Sequence, residues 1–136
     1  SMASKSIQVV GAVIFDGKNK RIFVGQRSKY AKHPLKWEFI GGKVQNGENL
    51  LTATEREFFE ETKLKITAKR IIGNSEFDYG GDIGKVKIYF VECQNFSGKP
   101  AIDKNVYEKV EWIERKNLPK LDWIAADKEF ANKLVD

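Results

Sequence analysis

The sequence contains a single cysteine, Cys93, a single histidine, His33, and only three prolines. One cysteine cannot form an intrachain disulfide, and its strand-like neighbours favour a buried small side chain over a reactive thiol. Because nitrogen and sulfur ligands are so scarce, a zinc site is not expected. No apolar run approaches the roughly eighteen residues that a membrane span needs, and no secretion signal is visible. We therefore expect a cytoplasmic protein without a membrane partner.

The rest of the composition is that of an ordinary folded domain. Of 136 residues, 41% are hydrophobic and 32% are charged, which is enough apolar material for one core. We predict a single domain over residues 7–136, preceded by a tag remnant and flexible N-terminus at residues 1–6. The 24 basic and 19 acidic residues give a net charge of +5, and the lysines are scattered as on a solvated surface. A stable nucleic-acid partner is not expected, and the chain is predicted to be a monomer or a dimer.

Segments typical of β-strands occur along most of the chain. Residues 7–15 and 21–27 are rich in β-branched and aromatic side chains. The turn sequence between them, from Asp16 to Asn19, predicts that the two strands pair as a hairpin. Later segments of the same type predict three more strands, at about 65–78, 84–93 and 106–113.

Two segments between and after these strands have helical patterns. The stronger one covers about residues 49–62 and places Glu48 in its first turn, where the helix dipole favours an acid. The second covers 122–134, with Asp122 as a plausible N-cap. Strands separated by two helices favour an α/β or α+β sandwich, with the helices covering a mixed β-sheet.

The first helix carries three carboxylates on one face. Glu57, Glu60 and Glu61 stand at i, i+3 and i+4, so they fall within an arc of roughly 100°. Like charges at these spacings repel, and a hard divalent cation such as Mg²⁺ or Mn²⁺ would offset the repulsion. Taken by itself, the same pattern also fits an acidic helix face in solvent. The surrounding sequence favours the metal site, because Gly41, Gly42 and Lys43 form a loop suited to close approach by a phosphate.

The segment 42–64, GKVQNGENLLTATEREFFEETKL, resembles the Nudix box, G-x5-E-x7-R-E-U-x-E-E-x-G-U. Every acidic and basic element of that pattern is present. One element departs, because Lys63 stands where the pattern has glycine. That glycine would stop the helix in a left-handed conformation, which costs a lysine about 1 kcal/mol and involves no chemistry. The preceding segment, WEFIGGK at 37–43, is similar to the (L/W)-E-F-P-G-G-K of the MutT branch, with Ile40 in place of proline.

The resemblance implies a Nudix-type α/β/α sandwich that hydrolyses a nucleoside diphosphate linked to a further group. For the MutT branch, the expected substrate is a (deoxy)nucleoside triphosphate, and the products are a nucleoside monophosphate and pyrophosphate. An oxidised guanine or a cytosine nucleotide is favoured. An ADP-ribose or dinucleotide pyrophosphatase, and a nucleotide-sensing domain without activity, are the alternatives.

The resemblance also implies roles for individual residues. Metal ligands would be the Gly42 carbonyl, Glu57, Glu60 and Glu61, holding Mg²⁺ or, as a substitute, Mn²⁺. Phosphate contacts would come from Lys43 and Arg27, and Arg56 would orient a neighbouring carboxylate such as Glu48. The general base is left open between Glu57, which ranks first, and Glu108, a candidate ligand or base outside the box.

Residues for recognition of the base lie outside the box. Asp127 shares a helix face with apolar residues, so it is either an early-helix acid favoured by the dipole or a group that hydrogen-bonds the base. The second interpretation matches the place where MutT-like proteins carry an Asn or Asp. Phe77 and Tyr79 could stack on the base, with Lys85 nearby, although aromatic side chains in strands more often belong to the core.

Overall fold

The computed structural model describes residues 6–136, so the predicted tag remnant and flexible N-terminus lie outside the described residues except for Ser6. Seven strands are present: β1 (Ile7–Ile14), β2 (Arg21–Arg27), β3 (Trp37–Glu38), β4 (Gly41–Lys43), β5 (Thr67–Asp78), β6 (Lys85–Gln94) and β7 (Tyr107–Glu114). Two α-helices, α1 (Leu50–Thr62) and α2 (Ala125–Lys133), and a 3₁₀ helix over Arg115–Lys120 complete the fold. No helix in residues 6–136 is long and apolar enough to cross a membrane.

The strands form two sheets instead of one. The first has the order β4-β1-β6-β5 and is mixed, because β1 runs parallel to β6 and the other pairs are antiparallel. The second has the order β3-β2-β7 and is antiparallel throughout. The predicted mixed sheet is thus confirmed for four strands and corrected for the remaining three.

The helices cover opposite faces of these strands. Alternate residues of β1 show this clearly, since Val10, Ala12 and Ile14 pack in the core under α1 while Val13 packs in the core under α2. The same alternation occurs in β2 and β6, as expected from the two-residue period of a strand. The predicted α/β/α sandwich is therefore confirmed.

The predicted hairpin of β1 and β2 is wrong. The two strands belong to different sheets and meet only at an isolated bridge between Phe15 and Ile22. The turn does form, and the Asp16 carboxylate accepts the backbone N–H of Lys20 at 2.8 Å. Both strands are central in their own sheets and buried on both faces, which explains why each is a nearly continuous apolar run instead of an alternating one.

Helix α1 begins and ends much as predicted. Asn49 is its N-cap, and its side chain accepts the Thr52 N–H at 2.8 Å. Glu48 therefore precedes the helix, and the prediction that it lies in the first turn is wrong. At the other end Lys63 adopts the left-handed conformation with φ of 63°, and its N–H bonds to the Phe59 carbonyl, as the glycine position of the pattern requires.

Helix α2 is shorter than predicted. It starts at Ala125, its N-cap is Ile124, and no side chain caps it. Asp122 instead forms an ion pair with Lys36 at 2.7 Å, and Trp123 remains in the extended segment, where it bridges to Trp37. The 3₁₀ helix before this segment was not anticipated, because its sequence, RKNLPK, shows no apolar periodicity.

Candidate active site

Strand β4 and helix α1 of the acidic box meet at Gly42, so the segment Gly41–Lys43, predicted as a loop, is a short strand. Gly42 lies on β4, opposite Val10 of β1, and a Cβ atom placed on it would collide with the carboxylate of Glu57. Gly41, its neighbour, has no room for a side chain either, because the Val10 carbonyl occupies that space. The glycines are therefore needed for close packing, and they bring the Glu57 carboxylate directly against the backbone of β4.

Arg56 ties the acids of the box together. Its guanidinium binds both oxygens of Glu48, at 2.7 and 2.9 Å, and donates to Glu57 at 2.8 Å. The same group reaches Glu60 at 3.2 Å and the Lys43 carbonyl at 3.0 Å. Such bidentate contacts fix orientation as well as charge. The Glu48 pKa is lowered to about 2, chiefly by its hydrogen bonds from Arg56. Arg56 therefore joins the loop before α1 to the helix face.

The remaining charge on this face is poorly compensated. Burial raises the pKa of Glu57, although Arg56 opposes the shift. Burial also raises the pKa of Glu61, with further contributions from the charges of Glu57, Glu38 and Glu60. Excess negative charge on hard oxygen ligands beside a glycine backbone suits a divalent cation of the Mg²⁺ type.

The three box acids are not gathered into a finished metal site. Within residues 6–136, no group of three or more acidic, histidine or cysteine side chains is arranged so as to hold a metal ion. Arg56 donates hydrogen bonds to Glu57 and Glu60. The donor types and the glycine backbone fit a divalent metal.

A cavity of about 340 Å³ adjoins this face. The box contributes Gly42 and Lys43 to its wall, and α2 contributes Asp127 from the opposite side of the sheet layer. Arg27 and Glu38 line it as well. The volume lies within the usual range for a small-molecule site, and the mixture of apolar wall and a few charged groups is typical of one.

Glu38 is the charged residue that sequence reasoning missed. It stands in the WEFIGGK segment, where it could have been singled out as the acid between two core aromatics. Its carboxylate accepts hydrogen bonds from Arg27 Nη1 at 2.8 Å and from the Tyr107 hydroxyl at 2.6 Å. Its charge contributes to the raised pKa of Glu61. Glu38 is therefore the acid from outside the box that the structure brings near it.

The structure gives Glu108 a hydrogen-bond partner outside the box. Its carboxylate accepts the backbone N–H of Lys29 at 2.9 Å and so anchors the loop after β2. Glu108 has no partner on β2, because Gln26 pairs with Lys109 and Arg27 pairs with Tyr107, which leaves a bulge at Glu108. A role for Glu108 as a metal ligand or base stays a prediction.

Asp127, the candidate base-contacting residue, is a buried acid in the cavity wall. It lines the cavity, is only 2% exposed, and accepts the Phe39 N–H at 2.9 Å. Burial and the charge of Glu38 raise its pKa well above the ordinary value. Beside it, the Tyr79 hydroxyl accepts the Ala126 N–H at 2.9 Å, and the Tyr79 ring lies 4.9 Å from the ring of His33. Tyr79 and His33 give the cavity an aromatic wall.

The structure does not place Phe77 and Lys85 in this cavity. Phe77 packs against Tyr79 with ring centroids 4.7 Å apart, but it is 42% exposed and lies outside the lining. Lys85 is exposed and alternates with Val86, whose side chain is the one that lines the cavity. A strand presents only every second residue to one face, so Tyr79 and Val86 line the cavity while their roles and those of Phe77 and Lys85 toward substrate stay predictions.

Comparison with known proteins decides the family. A family model described as a NUDIX domain matches residues 5–134. The chain belongs to the Nudix family. An 8-oxo-dGTP diphosphatase of Buchnera aphidicola is 31% identical over 116 residues, covering 85% of this chain and 87% of that protein. The solution structure of MutT from methicillin-resistant Staphylococcus aureus is 34% identical, with a TM-score of 0.73 over 98% of both chains.

A zebrafish relative extends the comparison to animals. The oxidized purine nucleoside triphosphate hydrolase of Danio rerio is 31% identical over 84 residues, which is 62% of this chain and 53% of that protein. The Nudix chain described here thus spans about half the length of that relative and most of the length of the bacterial one. The predicted membership in the MutT-like branch of the Nudix hydrolases is confirmed.

The raised pKa of Asp127 predicts a pH-dependent stability. Between the unfolded value of 3.8 and the higher folded value, the folded chain holds a proton that the unfolded chain releases. Stability should then fall as pH rises through this window, by up to about 1.4 kcal/mol per pH unit. Asp127→Asn keeps an acceptor for the Phe39 N–H and has no proton to lose. Its free energy of unfolding should therefore exceed that of the unaltered protein by a margin that widens with pH, as measured by urea unfolding.

The control is Glu129→Gln on the same helix. The Glu129 carboxylate is 80% exposed, so this substitution should leave the pH profile of stability unchanged. If Asp127→Asn followed the same pH profile as the unaltered protein, the raised pKa would be wrong.

Proposed function

We propose that the protein hydrolyses nucleoside triphosphates to a nucleoside monophosphate and pyrophosphate, in a reaction that requires Mg²⁺. The observation that carries the proposal is the continuity of the site. The backbone of Gly42 touches the Glu57 carboxylate on one side and lines the nucleotide-sized cavity on the other. A triphosphate held at Gly42 would have its phosphates beside the box acids and its nucleoside in the cavity.

The metal would be held by oxygen atoms from the box, namely the Gly42 carbonyl and the carboxylates of Glu57, Glu60 and Glu61. Nudix hydrolases use divalent metal ions, and the hard ligands here favour Mg²⁺, with Mn²⁺ as a substitute. When bound, the metal neutralises phosphate charge and lowers the pKa of a coordinated water. The only cysteine, Cys93, is buried and free, which agrees with a site that does not depend on sulfur.

The other side chains would position the substrate. Lys43 is exposed at the cavity wall and would contact phosphate oxygens, and Arg27 offers a second cation there. Arg56 and Glu48 bind each other, so we assign them to positioning of the metal-binding acids, without contact to substrate. Glu57, whose carboxylate is held between Arg56 and Gly42, is our first choice for the group that takes the proton from the attacking water.

The base would lie against Tyr79 and reach Asp127. An acid with a raised pKa can donate as well as accept, so it suits a base edge that presents an acceptor. The relatives named for oxidised guanine and oxidised purine nucleotides support an oxidised guanine nucleotide, with cytosine nucleotides as the other candidate. A cytoplasmic location and a monomeric or dimeric state remain predictions.

One substrate panel tests the proposal. The protein is incubated with Mg²⁺ and, separately, canonical and oxidised (deoxy)nucleoside triphosphates, ADP-ribose and diadenosine polyphosphates, and pyrophosphate and orthophosphate are measured. We expect pyrophosphate from a triphosphate, with kcat/KM in the usual enzymatic range of about 10⁴ M⁻¹ s⁻¹ or above. Faster hydrolysis of ADP-ribose or a dinucleotide would replace the proposed substrate class. Binding of a nucleotide without turnover of any compound would indicate a sensing domain.

A further inference from the structure

Glu38 occupies a position in the cavity that the proposed chemistry does not use. It lies on β3, in the three-stranded sheet, while Gly42 lies three residues after Phe39 on β4 of the other sheet. The chain thus crosses between the sheets at the cavity wall, with Glu38 on one side of the crossing and the box on the other. We propose that Glu38 accepts a hydrogen bond from a sugar hydroxyl of the bound nucleotide, and that Tyr107 and Arg27 hold its carboxylate for this purpose.

Both carboxylate oxygens of Glu38 are held by donors. Arg27 Nη1 binds Oε1 at 2.8 Å, and the Tyr107 hydroxyl binds Oε2 at 2.6 Å. The Glu38 side chain is 13% exposed, so it is oriented almost entirely by these two partners. A carboxylate oxygen can accept more than one hydrogen bond, so each retains capacity for a ligand donor.

The donors are themselves held in place. Tyr107 is buried against Gly25, where a Cβ atom would lie 2.7 Å from its ring, so only glycine permits this approach. Arg27 Nε donates to the Lys32 carbonyl at 2.5 Å. Arg27 pairs directly with Tyr107 beside a bulge in β7, so the two donors to Glu38 stand opposite each other on neighbouring strands. A carboxylate prepared in this way loses little entropy when a ligand binds.

The location of Glu38 determines which part of a nucleotide it meets. Glu38 and Asp127 line the same cavity as Gly42 and Lys43 of the box. Phe39, which follows Glu38, donates its N–H to Asp127 at 2.9 Å, so Glu38 lies beside the base-binding wall in the cavity that reaches the box. In a nucleotide, the group between phosphate and base is the sugar, and the hydroxyls are the only hydrogen-bond donors of the sugar. Arg27 also offsets the repulsion that a lone carboxylate would exert on the nearby phosphates. This inference rests on the proposed function, because it needs the phosphates at Gly42 and the base at Asp127.

The experiment compares four triphosphates that share one base and differ only in the sugar: ribo, 2′-deoxy, 3′-deoxy and 2′,3′-dideoxy. For each, kcat/KM is measured with Mg²⁺ on the unaltered protein and on Glu38→Gln. A hydrogen bond to a charged acceptor is worth about 1.5–3 kcal/mol, so loss of the contacted hydroxyl should lower kcat/KM of the unaltered protein about tenfold or more. In Glu38→Gln, loss of the same hydroxyl should lower kcat/KM by only about threefold or less, because a neutral amide oxygen is a weaker acceptor than a carboxylate.

Tyr107→Phe tests the positioning role. It keeps the ring against Gly25 and removes only the donor to Glu38. The ratio of kcat/KM between triphosphates with and without the contacted sugar hydroxyl should therefore fall between the ratios of the unaltered protein and Glu38→Gln. Tyr30→Phe, at a tyrosine that is 72% exposed, is its matched control. Glu111→Gln, at a carboxylate that is 41% exposed on β7, is the control for Glu38→Gln. Both controls should retain the discrimination of the unaltered protein.

The outcomes separate this inference from the proposed function. Each protein is compared with itself across sugars, so a smaller folded fraction cancels in the ratio. If Glu38→Gln lowered kcat/KM by the same factor for all four sugars, Glu38 would have a different role, and the inference would be overturned. If Tyr107→Phe left the discrimination unchanged, Tyr107 would have no positioning role. Absence of hydrolysis of every triphosphate by the unaltered protein would instead reject the proposed function.

Discussion

Replacement of Glu60 and Glu61 by glutamine together should reduce kcat by about a thousandfold or more while the protein remains folded. The two carboxylates supply much of the charge available to a divalent cation, and charge stabilisation by such a metal is worth several kcal/mol in the transition state. About 4 kcal/mol corresponds to a factor of about a thousand. The measurement is pyrophosphate release with Mg²⁺, paired with a calorimetric titration of Mn²⁺, for which binding should weaken in parallel.

The same substitution should not destabilise the fold. The pKa of Glu61 is raised by burial and by the charges of Glu57, Glu38 and Glu60, so the neutral amide removes repulsion from the helix face. The free energy of unfolding measured without metal should equal or exceed that of the unaltered protein. The control double variant, Glu111→Gln with Glu114→Gln, removes two exposed carboxylates of β7 and should leave turnover unchanged. Full activity in the Glu60 and Glu61 variant would refute their role as metal ligands.

Gly42→Ala is the second variant with a large expected effect. The backbone of Gly42 lies outside the left-handed region, so alanine is acceptable there on backbone grounds. Its methyl group, however, would occupy the space of the Glu57 carboxylate. Glu57 must then move by about 1 Å, and displacement of this size at a catalytic group costs about a hundredfold in rate. We expect kcat/KM for the best triphosphate to fall by about that factor.

Gly17→Ala is the matched control, because Gly17 lies in the turn after β1 and a Cβ atom there would meet nothing within 4 Å. Its turnover should stay within about twofold of the unaltered protein. Thermal unfolding of both variants shows whether the Gly42 effect is local. Retention of activity by Gly42→Ala would mean that the contact between Gly42 and Glu57 has no importance for catalysis.

Some of these features could be predicted from residue spacing alone. The acids at 57, 60 and 61 must share a helix face once the segment is helical, because that follows from the helical period. The end of helix α1 at Lys63 could also be predicted, because the box pattern has its helix-ending glycine at this position. Lys63 adopts the left-handed conformation expected there, with φ of 63°. Helix α1 differs from its predicted bounds by one residue, and every predicted strand was found within about two residues of its expected start. Local periodicity therefore determined α1, the five predicted strands and the box, but not the start of α2 or the 3₁₀ helix.

Strand partners could not be predicted in this way. Two apolar strands joined by a turn sequence have the pattern of a hairpin. β1 and β2 nevertheless belong to different sheets, in which each is buried on both faces. Phe77 and Lys85 were expected in the cavity for their chemistry, but the register of β5 and β6 directs Val86 there instead. Register is set by packing against the rest of the molecule, which spacing within a single strand does not contain.

The sequence by itself determined the carboxylate helix, the position of Gly42 before it and the family, because their pattern lies within one continuous segment of about 23 residues. The second half of the site was decided only by the tertiary structure. Glu38 of β3 and Asp127 of α2 are distant along the chain and line one cavity, and Tyr107 of β7 donates a hydrogen bond to Glu38. On β6, Lys85 and Val86 differ by one position, and Val86 is the one that lines the cavity. The physical reason is that contacts between distant segments depend on the packing of whole elements, and a one-residue difference on a strand reverses the face.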